Sequence, residues 1–235
     1  MQEDFSAQLE RAKLDAMKEL AYGASHEINN PLANISARAQ SLLRDETNPE
    51  RRRALEAIYG QAMRAHEMIS DLMLFARPPK LNVQRLDLSA LIHEIAEKFA
   101  AECNERKILC PLNVPRTAAQ FSGDRQQLFV AISALFTNAI EAVGTGGSIQ
   151  ISLEHHPQHV TIEVSDTGPG ISDEVRRHLF DPFYSGREAG RGLGFGLSKC
   201  WRIVTEHGGT IAVGSNPQGG AHFSLALPVS PKPLV

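Results

Sequence analysis

The 235-residue sequence contains only three cysteines, one tryptophan and 6% aromatic residues. Cys103, Cys110 and Cys200 are odd in number and show no CxxC spacing. That excludes a disulfide framework or a thiolate zinc site and fits free thiols in a reducing compartment. A surplus of basic charge is also missing. The net charge is −3, so nothing points to nucleic acid or an acidic membrane surface, and Arg51-Arg52-Arg53 reads as the solvated face of a helix. No apolar run reaches transmembrane length, and Met1-Gln2-Glu3-Asp4 is too acidic for a signal peptide. The expectation is a soluble, cytoplasmic segment without membrane contact. No stretch reads as an input module, so a piece of a longer protein is expected. What is present is ordinary: 42% hydrophobic and 22% charged residues, enough for one large domain or two modest ones.

Two textures divide the chain. Residues 1–77 carry helical periodicity broken at Asp45-Glu46-Thr47-Asn48-Pro49, where Pro49 suits the first turn of a new helix. Leu14, Met17, Ala21, Ala24 and Ile28, continued by Leu32, Ile35, Ala39 and Leu42, form one stripe. Leu55, Ile58, Ala62, Ala65, Ile69, Leu72 and Ala76 form the other. Together they predict an antiparallel helical hairpin. Each helix has one apolar stripe and little to bury it against, which two hairpins joined as a four-helix dimer would remedy. Packing on the second region is the alternative, set aside because that region can make its own core. Arg77-Pro78-Pro79 reads as a stiff linker.

Residues 80–229 alternate between patterns. Helices are predicted over 88–101, with Asp87 or Ser89 as cap, over 125–143 and over 197–207. Strands are predicted over 148–153, 159–165, 210–214 and 221–227. This is an α+β two-layer sandwich, helices on one face of a mixed sheet.

Chemistry concentrates first in Ser25-His26-Glu27-Ile28-Asn29-Asn30-Pro31-Leu32. At 100° per residue His26 lies about 200° from both Ala24 and Ile28, off the apolar stripe, so it is available as a nucleophile. Glu27 can take a ring proton, and Asn30, one turn on, can hold a water or steady the ring. Pro31 leaves the Glu27 carbonyl without its helical donor, and a kink is expected there. His66 and His93 read as surface groups on helices.

The octapeptide resembles the H box of sensor histidine kinases, and the likeness continues in family order along the second region. Leu135-Phe136-Thr137-Asn138-Ala139-Ile140-Glu141-Ala142 resembles the N box, Asp166-Thr167-Gly168-Pro169-Gly170 the first glycine box and Phe180-Asp181-Pro182-Phe183-Tyr184 the F box. Gly190-Arg191-Gly192-Leu193-Gly194-Phe195-Gly196 resembles the second glycine box. His207-Gly208-Gly209 and Gly219-Gly220 shape the last hairpin and are given no chemical role. No Lys-Ser/Thr pair follows the glycine run and no strand precedes it, so it is neither a Walker loop nor a dinucleotide fingerprint.

The resemblance implies a Bergerat (GHKL) ATP-binding domain after the hairpin, with ATP and Mg2+ as cofactors. Asp166, Gly168 and Gly170 would receive adenine, and Gly192, Leu193, Gly194 and Gly196 the phosphates. Asn138 would offer magnesium a hard amide oxygen. His26 would be phosphorylated with the help of Glu27 and pass the group to an aspartate of a response regulator receiver domain. Asn30 would serve in removing that phosphate again. The implied assembly is a homodimer, the cytoplasmic part of a longer sensor protein. One position departs from the family: Ala134 stands where an Asn usually opens the N box. Related gyrase and mismatch-repair ATPases carry a water-activating Glu there, so Ala134 argues against a clamp-type ATPase. It gives some support to a rival reading, a nucleotide-binding scaffold without catalysis.

Overall fold

The computed structural model describes residues 2–76, 80–115, 119–181, 184, 195–216 and 219–229. At 2–18, 20–21, 26, 67, 71–72, 74–76 and 195 it describes the backbone alone. The linker at 77–79 and the glycine run at 190–194 lie outside the described residues. The chain divides into two compact units, residues 1–79 and 80–235.

The first unit is a hairpin of α1 (Gln2–Asp45), which runs on through Pro31, and α2 (Pro49–Ala76). Asn48 starts the second helix: its Oδ1 accepts from the N–H groups of Glu50 (3.0 Å) and Arg51 (3.1 Å). Pro49, needing no partner for an N–H, takes the first helical position. Ser25, Asn29, Leu32, Ser36, Ala39 and Leu43 are buried or half-buried, at steps of four and three. Leu55, Tyr59, Ala62, His66, Ile69 and Met73 match them on α2. This seam lies one residue away from much of the apolar stripe read on α1. Ile28, Ile35 and Leu42 remain 43%, 44% and 61% exposed, and Ile58 of α2 48%. The reason is compositional. On α1 the seam takes in Ser25, Asn29 and Ser36, which a hydrophobic pattern passes over.

In the second unit β1 (Gln84–Asp87) pairs antiparallel with β3 (Gln120–Gly123) as a two-stranded ribbon. Between them run α3 (Leu88–Glu105) and the short β2 (Leu112–Asn113). The main sheet is ordered β2-β4-β5-β7-β6, with β4 (Ile149–His155), β5 (His159–Asp166), β6 (Thr210–Ser215) and β7 (Ala221–Pro228). Among the described strands β2 and β4 pair in parallel and the other neighbours antiparallel, so the sheet is mixed. Its buried row alternates along β5 (Val160, Ile162, Val164) and β7 (Phe223, Leu225, Leu227) beneath α4 (Arg125–Val143) and α6 (Phe195–Glu206). Asp87, one of the two cap candidates, caps α3 and also accepts from Ala119 N–H. Asp124 caps α4 through Gln127 N–H (3.0 Å). A six-residue helix, α5 (Asp173–His178), and the β1–β3 ribbon were not expected, being too short to show a period. Among the described residues α4 alone is long and apolar enough to cross a membrane. Here it is the core helix, with Leu128, Ala131, Ile132, Leu135, Phe136 and Ile140 buried.

Candidate functional site

On the hairpin, the H-box residues divide between seam and solvent. Ser25 is fully buried, Asn29 half-buried, and Glu27 and Asn30 are exposed. His26 follows Ser25 by one residue, a turn of about 100° out of the seam; its side chain lies outside the described residues. Asn29 Oδ1 lies 3.0 Å from His66 Nδ1 across the hairpin. His66 is therefore not the surface group expected of it. It ties α2 to the turn of α1 that carries the H box. Nothing in the sequence marks this pair, whose members are 37 residues apart. His93 is exposed, as read, with Nδ1 2.7 Å from the Ser89 carbonyl.

In the second unit Asp166 ends β5 in phase with the apolar row, so alternation buries it to 1% exposure. Oδ1 accepts from Gly168 N–H (2.8 Å) and Ala221 N–H (3.2 Å). Oδ2 is buried, and among the described residues no donor reaches it. A buried acceptor without a donor is costly, and a ligand donor would satisfy this one. The backbone approaches closely around it. A Cβ on Gly168 would sit 2.9 Å from Oδ1 and 3.0 Å from the Ala142 carbonyl, so this glycine serves proximity. Gly170 has φ +79°, which favours glycine. Asn138 stands half-exposed one turn before Ala142, on the face of α4 that the Gly168 backbone touches. Ala134, half-buried, is one turn further back.

Gly196 lies in the first turn of α6, where among the described residues nothing approaches its Cβ position, beside a helix N-terminus suited to phosphate. Gly192, Leu193 and Gly194 lie outside the described residues, as do Pro182 and Phe183 of the F box. Phe180 is half-buried, and the His178 and Tyr184 rings meet at 5.2 Å.

Residues 16–80 match the family described as His Kinase A (phospho-acceptor) domain. Residues 123–231 match the family described as Histidine kinase-, DNA gyrase B-, and HSP90-like ATPase. The sensor histidine kinase ZraS of Escherichia coli (strain K12) is 32% identical over 221 residues, covering 94% of this chain and 47% of that protein. The catalytic domain of histidine kinase ThkA superposes with a TM-score of 0.60 at 30% identity, covering 64% of this chain and 97% of that one. The chain belongs to the sensor histidine kinases. ThkA in complex with the response regulator protein TrrA matches 94% of this kinase chain and 64% of that one, with a TM-score of 0.68 at 26% identity. The chain spans about half the length of the curated relatives it matches.

Within this histidine kinase Asp166 has neighbours that motif reading passed over. Asn216 Nδ2 donates to the Asp166 carbonyl at 3.0 Å. Gly220, assigned only a turn-shaping part above, packs so closely that a Cβ would lie 2.1 Å from that carbonyl oxygen. The Gly-Gly pair was a visible signal. Asn216 had none.

Proposed function

We propose that this chain transfers the γ-phosphate of ATP to His26 and from there to an aspartate on a response regulator receiver domain. The observation that carries the reading is the buried Oδ2 of Asp166, which no donor reaches among the described residues, with glycine backbone packed closely around that residue. A single acceptor fixed by two backbone donors on its other oxygen suits the 6-amino group of adenine. Gly168 and Gly170 let the backbone approach the ring, and Gly192, Leu193, Gly194 and Gly196 supply N–H groups to the phosphates. One ring nitrogen of His26 attacks phosphorus as ADP leaves, and Glu27 takes the proton from the other nitrogen. Asn138 is the side chain to hold Mg2+, its amide oxygen being a hard neutral donor. When bound, the ion screens the phosphate charge. Asn30, exposed one turn beyond His26, orients a water toward a phosphorylated aspartate docked on that face. The hairpin pairs with a second copy, and the segment works on the cytoplasmic side as part of a longer sensor.

Radiolabelled ATP tests the reading. Acid-labile, alkali-stable label on the chain is expected. Free phosphate without label means a clamp-type ATPase, and neither means a scaffold. Either result overturns it. The role of Asn30 is tested by the decay of a prephosphorylated receiver domain with ADP. Asn30→Ala should slow decay and spare autophosphorylation, while equal rates remove the role.

A further inference from the structure

We infer that Asn216 is a positioning residue for the Asp166 carboxylate, and that the turn it anchors sets the base selectivity of the site. The inference rests on Asp166 as the acceptor of adenine, and deepens that reading.

The turn between β6 and β7 closes on itself. Asn216 N–H donates to the Gly220 carbonyl (3.1 Å), and Gly219 N–H donates to the Asn216 carbonyl (3.0 Å). Gly219 and Gly220 both have φ +87°, a conformation L side chains avoid. From this turn three contacts converge on Asp166. Asn216 Nδ2 holds its carbonyl oxygen at 3.0 Å. Ala221 N–H holds Oδ1 at 3.2 Å. Gly220 presses its backbone against both, since a Cβ would meet the carbonyl oxygen at 2.1 Å and Oδ1 at 2.8 Å.

The three contacts fix different things. The bond to the carbonyl sets the peptide plane after Asp166, and with it the direction of the side chain. The bond to Oδ1 sets the rotation of the carboxylate. With both in place Oδ2 is the one acceptor left to a ligand, and its direction is fixed. A base with a 6-amino group donates to it. A base with a 6-oxo group meets it acceptor to acceptor, and the buried carboxylate has no freedom to turn away. Selectivity therefore depends on the rigidity of the mount as much as on the carboxylate. Releasing the carbonyl lets the carboxylate swing, which weakens the amino contact and relieves the clash with a 6-oxo base.

The test uses the whole chain and two probes, ATP and inosine 5′-triphosphate, titrated calorimetrically. The parent should prefer ATP by about tenfold or more, the scale of a lost buried hydrogen bond. Asn216→Ala should weaken ATP about fivefold while leaving the inosine nucleotide within about twofold, so that the preference shrinks. Asn216→Asp, nearly isosteric but without a donor, should do the same and keeps the test open if the alanine variant does not fold. A merely structural role would lower both affinities together and leave their ratio intact. That result in both variants overturns the inference and spares Asp166. A parent without preference for ATP overturns the Asp166 reading and this inference with it.

Discussion

At the scale of single residues, the proposed reading gives Asp166 an acceptor role at both carboxylate oxygens, one toward two backbone N–H groups and one toward the base. An asparagine offers only one. In one amide orientation its NH2 faces the Gly168 and Ala221 donors; in the other it faces the adenine amino group. Asp166→Asn should therefore cost about 1–3 kcal/mol of ATP binding in either orientation. Calorimetry checks this, and affinity equal to the parent would make Asp166 a turn cap only. His26→Gln separates in the opposite sense. The histidine lies on the hairpin and the proposed nucleotide site in the other unit, so label should vanish while ATP affinity stays within about twofold. Persisting label, or label on His66, removes His26 from its role. These residues stand out in the sequence because local motif and residue chemistry coincide in them. Asn216 and the Asn29–His66 pair do not, because each acts on a partner distant in sequence, 50 and 37 residues away, and leaves no periodic trace.

At the scale of elements, α4 was legible to its ends, since an apolar core helix closed by Asp124 and Gly144 carries its own boundaries. The α1 seam was not, because burial there falls on Ser25, Asn29 and Ser36. Another hidden link joins α6 to α4. His207 is fully buried; its Nε2 accepts from Asp124 N–H at 3.0 Å and its Nδ1 donates to the Ile203 carbonyl at 2.8 Å. Both ring nitrogens are thus committed as the neutral tautomer. Burial holds the pKa below its usual value, against the pull of the Ile203 bond and of Asp124 and Glu206. The folded state therefore resists a proton that the unfolded chain accepts at about pH 6.5. The contribution to stability is complete above that pH. It declines as pH falls toward the lowered folded value, with a slope of at most about 1.4 kcal/mol per pH unit. Urea unfolding followed by Trp201, the single tryptophan, on α6, should show it between pH 7.5 and 5.5. His207→Asn should be weaker at pH 7.5 and lose less on acidification. A parent and variant with parallel pH dependence would show that His207 is not the titrating group.

At the scale of the whole molecule, the hairpin has two apolar surfaces and uses one. Its internal seam mixes Leu32, Leu43, Leu55 and Ile69 with small and polar groups, while Ile28, Ile35, Leu42 and Ile58 are exposed. Leu32, Ile35, Ala57, Ile58, Gln61 and Ala62 line a groove of about 390 Å3 along the same face. Covering the exposed half of each large side chain is worth on the order of 1 kcal/mol, and in a twofold pairing every such contact counts twice. Four side chains per copy then supply several kcal/mol that a single hairpin cannot gain. Of the stripes read in the sequence, Ile28, Ile35, Leu42 and Ile58 lie on this exposed face, the surface proposed for a second copy, while Leu32, Ala39, Leu55, Ala62 and Ile69 serve the seam. The prediction is that the parent sediments as a dimer and that Ile35→Asp with Ile58→Asp sediments as a monomer. Helical content should fall with the mass, because most of the seam is only half-buried in a single hairpin and its fully buried members, Ser25, Ala39 and Ala62, are small. ATP affinity should change less than about twofold, since Asp166 and its supports lie in the other unit. A parent that sediments as a monomer, or a doubly substituted chain that remains a dimer, would mean that these four side chains are not the dimer face.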